Sequence, residues 1–151
     1  MITYRLMQAI DLPVVTSMEK AIYPKDAWSS AQFKEELAGV PKNRLYVVAL
    51  NNESEIVGYA GVFSPAQGID ADIHTLTVAP EQRRKGIGRA MLEQLIIWAV
   101  QREAPAIFLE VREGNDEASP LYESAGFEAI SRRDDYYASG VHAVVMKKDL
   151  L

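Results

Sequence analysis

The chain reads as an α+β fold with α/β character: a mixed central sheet of about six or seven strands flanked by about four helices. Three observations point there. Strand-like and helix-like patterns follow one another in the order β α α β β β α β α β β along the 151 residues. One amphipathic stretch, residues 86 to 101, is long enough to be a crossover helix between two strands of one sheet. Several β-branched and aromatic runs are joined by short polar segments, as in hairpins. No repeat, low-complexity stretch or linker interrupts the chain, so residues 1–151 are expected to form a single domain.

The elements follow in order. "MITYRLMQ" alternates well enough for a strand. In "DLPVVTSMEKAIY" Asp11 is placed to cap a helix, and Pro13 is tolerable in the first turn, where its missing N–H has no intrahelical partner. "WSSAQFKEELAG" offers Ser29 with Gln32 three residues on, a capping box, and Gly39 as a stop. "RLYVVAL" and "EIVGYAGVF", joined by "NNESE", predict an antiparallel hairpin, and "ADIHTLTVA" is a third strand of that kind. The crossover helix carries Gly88, Met91, Leu92, Leu95 and Ala99 as one apolar stripe. "AIFLEV" suits a sheet centre. "ASPLYESAGF" is a short helix closed by Gly126; Pro120 belongs in a first turn, so this helix should start at about Ser119. "FEAISRRDDYY" and "HAVVMKKDL" are the last two strands.

Composition narrows the function. Hydrophobic residues make up 48% and charged residues 25%, an ordinary soluble balance that supports a packed core. No apolar run is long enough for a bilayer, and the start lacks the basic-then-apolar pattern of a signal peptide. A cytoplasmic monomer or weak dimer without membrane attachment is expected. Cysteine is absent, which removes disulfides, thiolate metal sites and cysteine nucleophiles. A net charge of −5 argues against direct nucleic-acid binding and suits a positively charged partner.

Against that acidic background, "EQRRKGIGRAML" gathers Arg83, Arg84, Lys85 and Arg89 around Gly86 and Gly88 at the head of the longest helix. Two glycines free the backbone to turn with its N–H groups on one side, and the helix start adds a positive end. Together these make an anion site whose usual guest is phosphate. A bare basic run is otherwise a solvated face. The dinucleotide fingerprint is poorly supported, because a third glycine is missing and the segment follows a late strand. Gly-Lys-Ser/Thr is absent, which excludes the phosphate loop of nucleotide triphosphatases.

"LTVAPEQRRKGIGRAMLEQL" resembles the acetyl-coenzyme A motif of the Gcn5-related N-acetyltransferases, Arg/Gln-x-x-Gly-x-Gly/Ala. The resemblance implies that Arg83, Arg84, Lys85, Gly86, Ile87, Gly88 and Arg89 cradle the coenzyme's pyrophosphate. It also implies that Leu76, Thr77 and Val78 run beside the pantetheine arm, where a free backbone N–H polarises the thioester carbonyl. Farther along, "FLEVREGNDEASPLYESAGFEAISRRDDYY" is similar to the bacterial branch of that family that acetylates the N-terminal alanine of a ribosomal protein. The likeness covers roughly the whole chain and is strongest from Leu76 onward. It implies Glu110 as general base, Tyr122 as general acid and Asn115 as a coenzyme contact, with no metal.

The chemistry asks for such a pair. An α-ammonium of pKa about 7.7–8.0 must lose a proton before it attacks, and a partly desolvated carboxylate can take it. The leaving thiolate, of basicity about 8.5 by analogy with cysteine, can be protonated by a phenol of pKa about 10. Taken alone, Glu110 is as well read as the partner of Arg112 or another cation, and Tyr122 as core. The upstream coenzyme motif, in the right order, reverses both readings. His74 and His142 are isolated and read as structural. The acceptor implied is a peptide amino terminus, walled by Tyr23 and Trp28 of "YPKDAW" and by Tyr136 and Tyr137 of "RRDDYY"; Asp134 and Asp135 either favour a basic peptide or are plain surface charge. An acetyltransferase of a small amine or a lysine side chain and a non-catalytic acetyl-coenzyme A-binding module stay open as alternatives.

Overall fold

The structure, a computed structural model, describes residues 1–113, 118–138 and 140–151. Among these residues the strands are β1 (Thr3–Leu6), β2 (Arg44–Leu50), β3 (Ile56–Phe63), β4 (Ala71–Val78), β5 (Ala106–Arg112), β6 (Glu128–Ala138) and β7 (Val141–Asp149). The helices are α1 (Leu12–Ile22), α2 (Ser30–Ala38), α3 (Ile87–Gln101) and α4 (Ala118–Ser124), with short 3-10 turns at Ala9–Asp11 and Pro80–Gln82. The strands form one mixed sheet in the order β1-β2-β3-β4-β5-β7-β6. The chain divides into two compact units, Met1–Phe63 with His74–Leu95, and Ser64–Ile73 with Ile96–Leu151.

In the first unit β1, β2 and β3 pair antiparallel, from Thr3↔Leu50 to Leu6↔Val47 and from Arg44↔Phe63 to Ala49↔Gly58. Tyr46 to Ala49 and Val57 to Val62 are buried without a break. Uninterrupted burial means that both faces are covered, which is why these strands read as continuous apolar runs. Met7, Leu12, Val15, Phe33, Tyr46, Val48 and Tyr59 form the core here, with Met18, Trp28 and Leu37 packed on it. Each such side chain contributes about 1.5–3 kcal/mol relative to an exposed one.

Helix ends show where local rules held. Gln32 donates its N–H to Ser29 Oγ at 3.2 Å, and Ser29 donates its N–H to Gln32 Oε1 at 2.7 Å, the expected capping box. Gly39 ends α2 as expected but with φ −87°, so its use is room: a Cβ there would lie 2.8 Å from the Arg44 side chain. Asp11 differs from expectation. Its side chain does not cap α1. It accepts the Gln8 N–H at 2.8 Å and a two-pronged Arg5 guanidinium at 2.8 Å on each oxygen. A bidentate charged partner on the neighbouring strand outbids one neutral amide.

In the second unit β5 pairs parallel with the start of β4, Ala71↔Ile107 and Asp72↔Phe108, and antiparallel with β7 from Ala106↔Asp149 to Arg112↔Ala143. β6 and β7 form the terminal hairpin, whose register breaks between Arg133 and Ala138. Pro120 sits in the first turn of α4, and the helix starts within a residue of the expected position. Gly126 follows it at φ +97°, with Phe127 N–H returning to the Tyr122 carbonyl at 3.0 Å. Along α3, the predicted stripe residues Met91, Leu92, Leu95 and Ala99 are all buried.

Candidate active site

At the head of α3 the chain turns through two left-handed residues, Arg84 at φ +64° and Gly86 at φ +83°. The sequence suggested that both glycines would serve this turn; instead Gly88 lies inside α3 and Arg84 takes the second left-handed position. The first intrahelical bond runs from Ala90 N–H to the Gly86 carbonyl at 3.0 Å. The N–H groups of Ile87 and Gly88 therefore lie at the helix start, ahead of its first intrahelical bond. Arg83, Arg84, Lys85 and Gly86 are exposed, and a Cβ added at Gly86 would meet nothing within 4 Å. Arg83 Nε donates to the Val78 carbonyl at 3.1 Å, tying the turn to the end of β4, and Arg89 pairs with Glu93 at 3.2 Å. Open amides, a positive helix end and exposed cations fit a diphosphate.

On β4, Thr77 is buried while Leu76 and Val78 are half-buried. Thr77 Oγ1 and the Tyr23 hydroxyl share a hydrogen bond of 2.9 Å. Burial pushes the Tyr23 phenol above its ordinary value, with the Thr77 bond acting against the shift. Close by in the same unit, Glu19 is only 5% exposed. It accepts the Tyr59 hydroxyl at 2.7 Å and the Trp28 N–H at 3.0 Å. Trp28 packs on Phe33, with ring centres 5.2 Å apart, and lies edge-on to His74 at 6.2 Å. His74 Nδ1 is 2.8 Å from Glu36 Oε1, which also accepts from Arg44 and Tyr46. Burial opposes ionisation of Glu36, but the bonds from Arg44, His74 and Tyr46 outweigh it and hold the carboxyl below its ordinary range.

In the second unit Glu110 stands half-buried on β5, 32% exposed, with Arg133 Nη1 at 2.8 Å from its Oε1. The cation that meets Glu110 is therefore Arg133 of β6. Arg112 lies over the Tyr137 ring at 4.6 Å. Tyr137 donates its hydroxyl to the Glu110 carbonyl at 3.2 Å. Burial first, and then the neighbouring Glu110 side chain, raises the Tyr136 phenol above its ordinary value. Arg133 also covers the Tyr136 ring at 4.3 Å, and the two tyrosines meet edge to face at 5.1 Å. Glu110, Tyr136 and Tyr137 thus lie together on β5 and β6. Tyr122 on α4 is 7% exposed and packs edge-on against Phe127 at 5.9 Å. Asn115 lies outside the described residues. Asp134 is engaged by Arg132 at 3.2 Å, and His142 Nδ1 accepts the Asp135 N–H at 3.0 Å.

Sequence reasoning passed over Glu19 and Arg133. Glu19 carried a readable signal, since a carboxylate shares the buried stripe of α1 with Leu12 and Val15. Arg133 carried none, because its partner is 23 residues away on another strand. Among the described residues no group of three His, Asp or Glu side chains is placed to hold a metal ion, and no helix is long and apolar enough to cross a membrane.

Known proteins agree with this layout. The family model described as acetyltransferase (GNAT) family matches residues 12–127, which span both units. The chain is 36% identical over 127 residues to the N-alpha-acetyltransferase RimI of Mycobacterium tuberculosis, covering 82% of this chain and 77% of the relative. It is 31% identical over 137 residues to the [ribosomal protein bS18]-alanine N-acetyltransferase of Escherichia coli K12, covering 89% and 86%. The crystal structure of the ribosomal-protein-S18-alanine N-acetyltransferase from Escherichia coli superposes with a TM-score of 0.81 at 27% identity, over 99% of this chain and 94% of that one. The fold is thus shared with a protein named as an N-acetyltransferase, and the chain belongs to the acetyltransferase (GNAT) family.

Proposed function

We propose that this enzyme transfers acetyl from acetyl-coenzyme A to the α-amino group of an N-terminal alanine on a ribosomal protein. One observation carries the reading: the likeness to a bS18-alanine N-acetyltransferase runs over 89% of this chain. The coenzyme supplies an acetyl thioester when bound. The amides after Gly86 and the side chains of Arg83, Arg84, Lys85 and Arg89 hold its pyrophosphate, Leu76 to Val78 line its arm, and Asn115 adds a contact.

Glu110 takes a proton from the acceptor's ammonium, directly or through water. The freed amine nitrogen bonds to the acetyl carbonyl carbon, and the carbon–sulfur bond breaks. Tyr122 gives its phenolic proton to the departing sulfur, and the surplus proton that the nitrogen sheds as the amide forms returns through solvent to the phenolate. Direct attack with both substrates bound is favoured because the chain has no cysteine to carry an acyl group. Tyr23 and Trp28 from one segment, and Tyr136 and Tyr137 from another, form the acceptor's walls. The carboxylate–phenol pair supports catalysis over mere coenzyme binding.

The test is a mass-spectrometric assay with acetyl-coenzyme A, a short peptide beginning Ala-Arg, and a panel of free amines. Acetylated peptide is expected. Transfer to amines alone would overturn the peptide acceptor, and tight coenzyme binding with no transfer would overturn catalysis.

A further inference from the structure

We propose that Arg133 is an exchangeable counter-ion for Glu110, displaced by the acceptor's α-ammonium, and so a specificity-determining residue of the acceptor site. The proposal rests on the reading of Glu110 as the base. In the structure that carboxylate is already occupied. Arg133 Nη1 lies 2.8 Å from Oε1. A guanidinium does not give up its proton at any working pH, so a carboxylate facing Arg133 has nothing to abstract. For Glu110 to receive a proton directly from the acceptor at Oε1, the ammonium must stand where the guanidinium now stands.

Three features make that exchange cheap. The pair is open to water, with Arg133 53% and Glu110 32% exposed, and such pairs contribute little. Arg133 has a second partner besides Glu110, since its guanidinium also lies over the Tyr136 ring. The β6–β7 register breaks between Arg133 and Ala138, so the stretch beyond Arg133 is not held to β7 rung by rung. Other cations of this unit are engaged elsewhere, Arg112 on Tyr137 and Arg132 with Glu113 and Asp134.

The exchange is one charge for one charge. An incoming ammonium keeps Glu110 balanced, whereas a neutral hydroxyl or amide would strand the carboxylate and be refused. When the ammonium's proton passes to Glu110, the nitrogen becomes neutral and leaves with the acetyl group. Return of Arg133 then favours loss of that proton to water, which restores the carboxylate for the next turn.

The experiment is steady-state kinetics of the full chain with saturating acetyl-coenzyme A and varied Ala-Arg peptide. Removing the competing cation in Arg133→Gln, with Arg133→Ala as a second variant, should lower the peptide KM about two- to fivefold, the range an exposed ion pair supplies. The KM for acetyl-coenzyme A should not change. Arg133→Lys, which keeps a cation without the fork, should fall between Arg133→Gln and the wild type. A peptide KM unchanged or raised in both neutral variants overturns the exchange, as does Arg133→Lys behaving like Arg133→Gln. Glu110→Gln is measured in parallel. Turnover that survives there defeats the base assignment itself; collapse there, with no fall in KM on removing Arg133, defeats only the exchange.

Discussion

Trp28 donates its backbone N–H to Glu19 Oε2 at 3.0 Å, while the other oxygen of that carboxylate takes the Tyr59 hydroxyl at 2.7 Å. A buried acid on α1 therefore anchors the segment that follows the helix, the one carrying Tyr23 and Trp28. Replacing Glu19 by alanine orphans two donors in the core of the first unit. The expected cost is on the order of 2–4 kcal/mol in urea unfolding. If the segment forms an acceptor wall, peptide KM should also rise while coenzyme KM holds. A stability change below about 0.5 kcal/mol would show that the carboxylate anchors nothing.

Arg84 and Gly86 separate folding from binding at the cationic turn. A left-handed conformation costs an ordinary residue about 1–2 kcal/mol, so Gly86→Ala at φ +83° should destabilise by roughly that amount even though its Cβ meets open space. Arg84→Gly removes the same strain at φ +64° and should leave thermal stability level or raised. It also removes a cation, and coenzyme affinity should drop about two- to fivefold. Calorimetry of the two variants with and without coenzyme reads both signs. A loss of stability in Arg84→Gly would contradict the strain account.

Acid sensitivity follows from Asp11 and Glu36. The Arg5 bond holds the Asp11 carboxyl below its ordinary range, and Glu36 is likewise lowered once its hydrogen bonds overcome burial. Each folded-state pKa lies under the unfolded one, so the unfolded chain binds more protons in that window. The stabilisation is present above the ordinary carboxylate values, about 3.9 for Asp and 4.3 for Glu, and is lost as pH falls through the folded values. Melting curves of Asp11→Asn and Glu36→Gln should therefore run at a constant offset below wild type from about pH 6 upward and converge toward it below about pH 4. Divergence in acid would reverse the sign and refute the assignment.

Tyr122→Phe isolates the phenolic proton. The ring is buried against Phe127, and phenylalanine fills the same space. Turnover should fall about a hundredfold or more, the scale of one general-acid step, with coenzyme KM within about twofold of wild type. Equal losses in turnover and affinity would assign the hydroxyl to binding instead.

Some of this was readable along the chain and some was not. The Ser29–Gln32 box, the Gly126 stop and the apolar stripe of α3 appear where the sequence places them, because each depends on residues a few positions apart. The cationic turn was found by composition and by glycine spacing, yet its second left-handed residue is Arg84, which no propensity favours. Asp11 looked like a cap and became the partner of Arg5. Glu110 was singled out by motif, but not its cation, for which Arg112 was the nearer candidate in sequence and Arg133 the actual one.

Chain order alone was enough for the alternation of strands and helices, the hairpins and the cationic turn at the head of α3, since periodicity, caps and turns are set by near neighbours. Folding settled which charges meet: Arg5 with Asp11, Arg44 with Glu36, Arg133 with Glu110. Coulomb attraction and hydrogen bonds act over a few ångströms through space, and the fold brings together side chains that the sequence keeps as far as 54 residues apart.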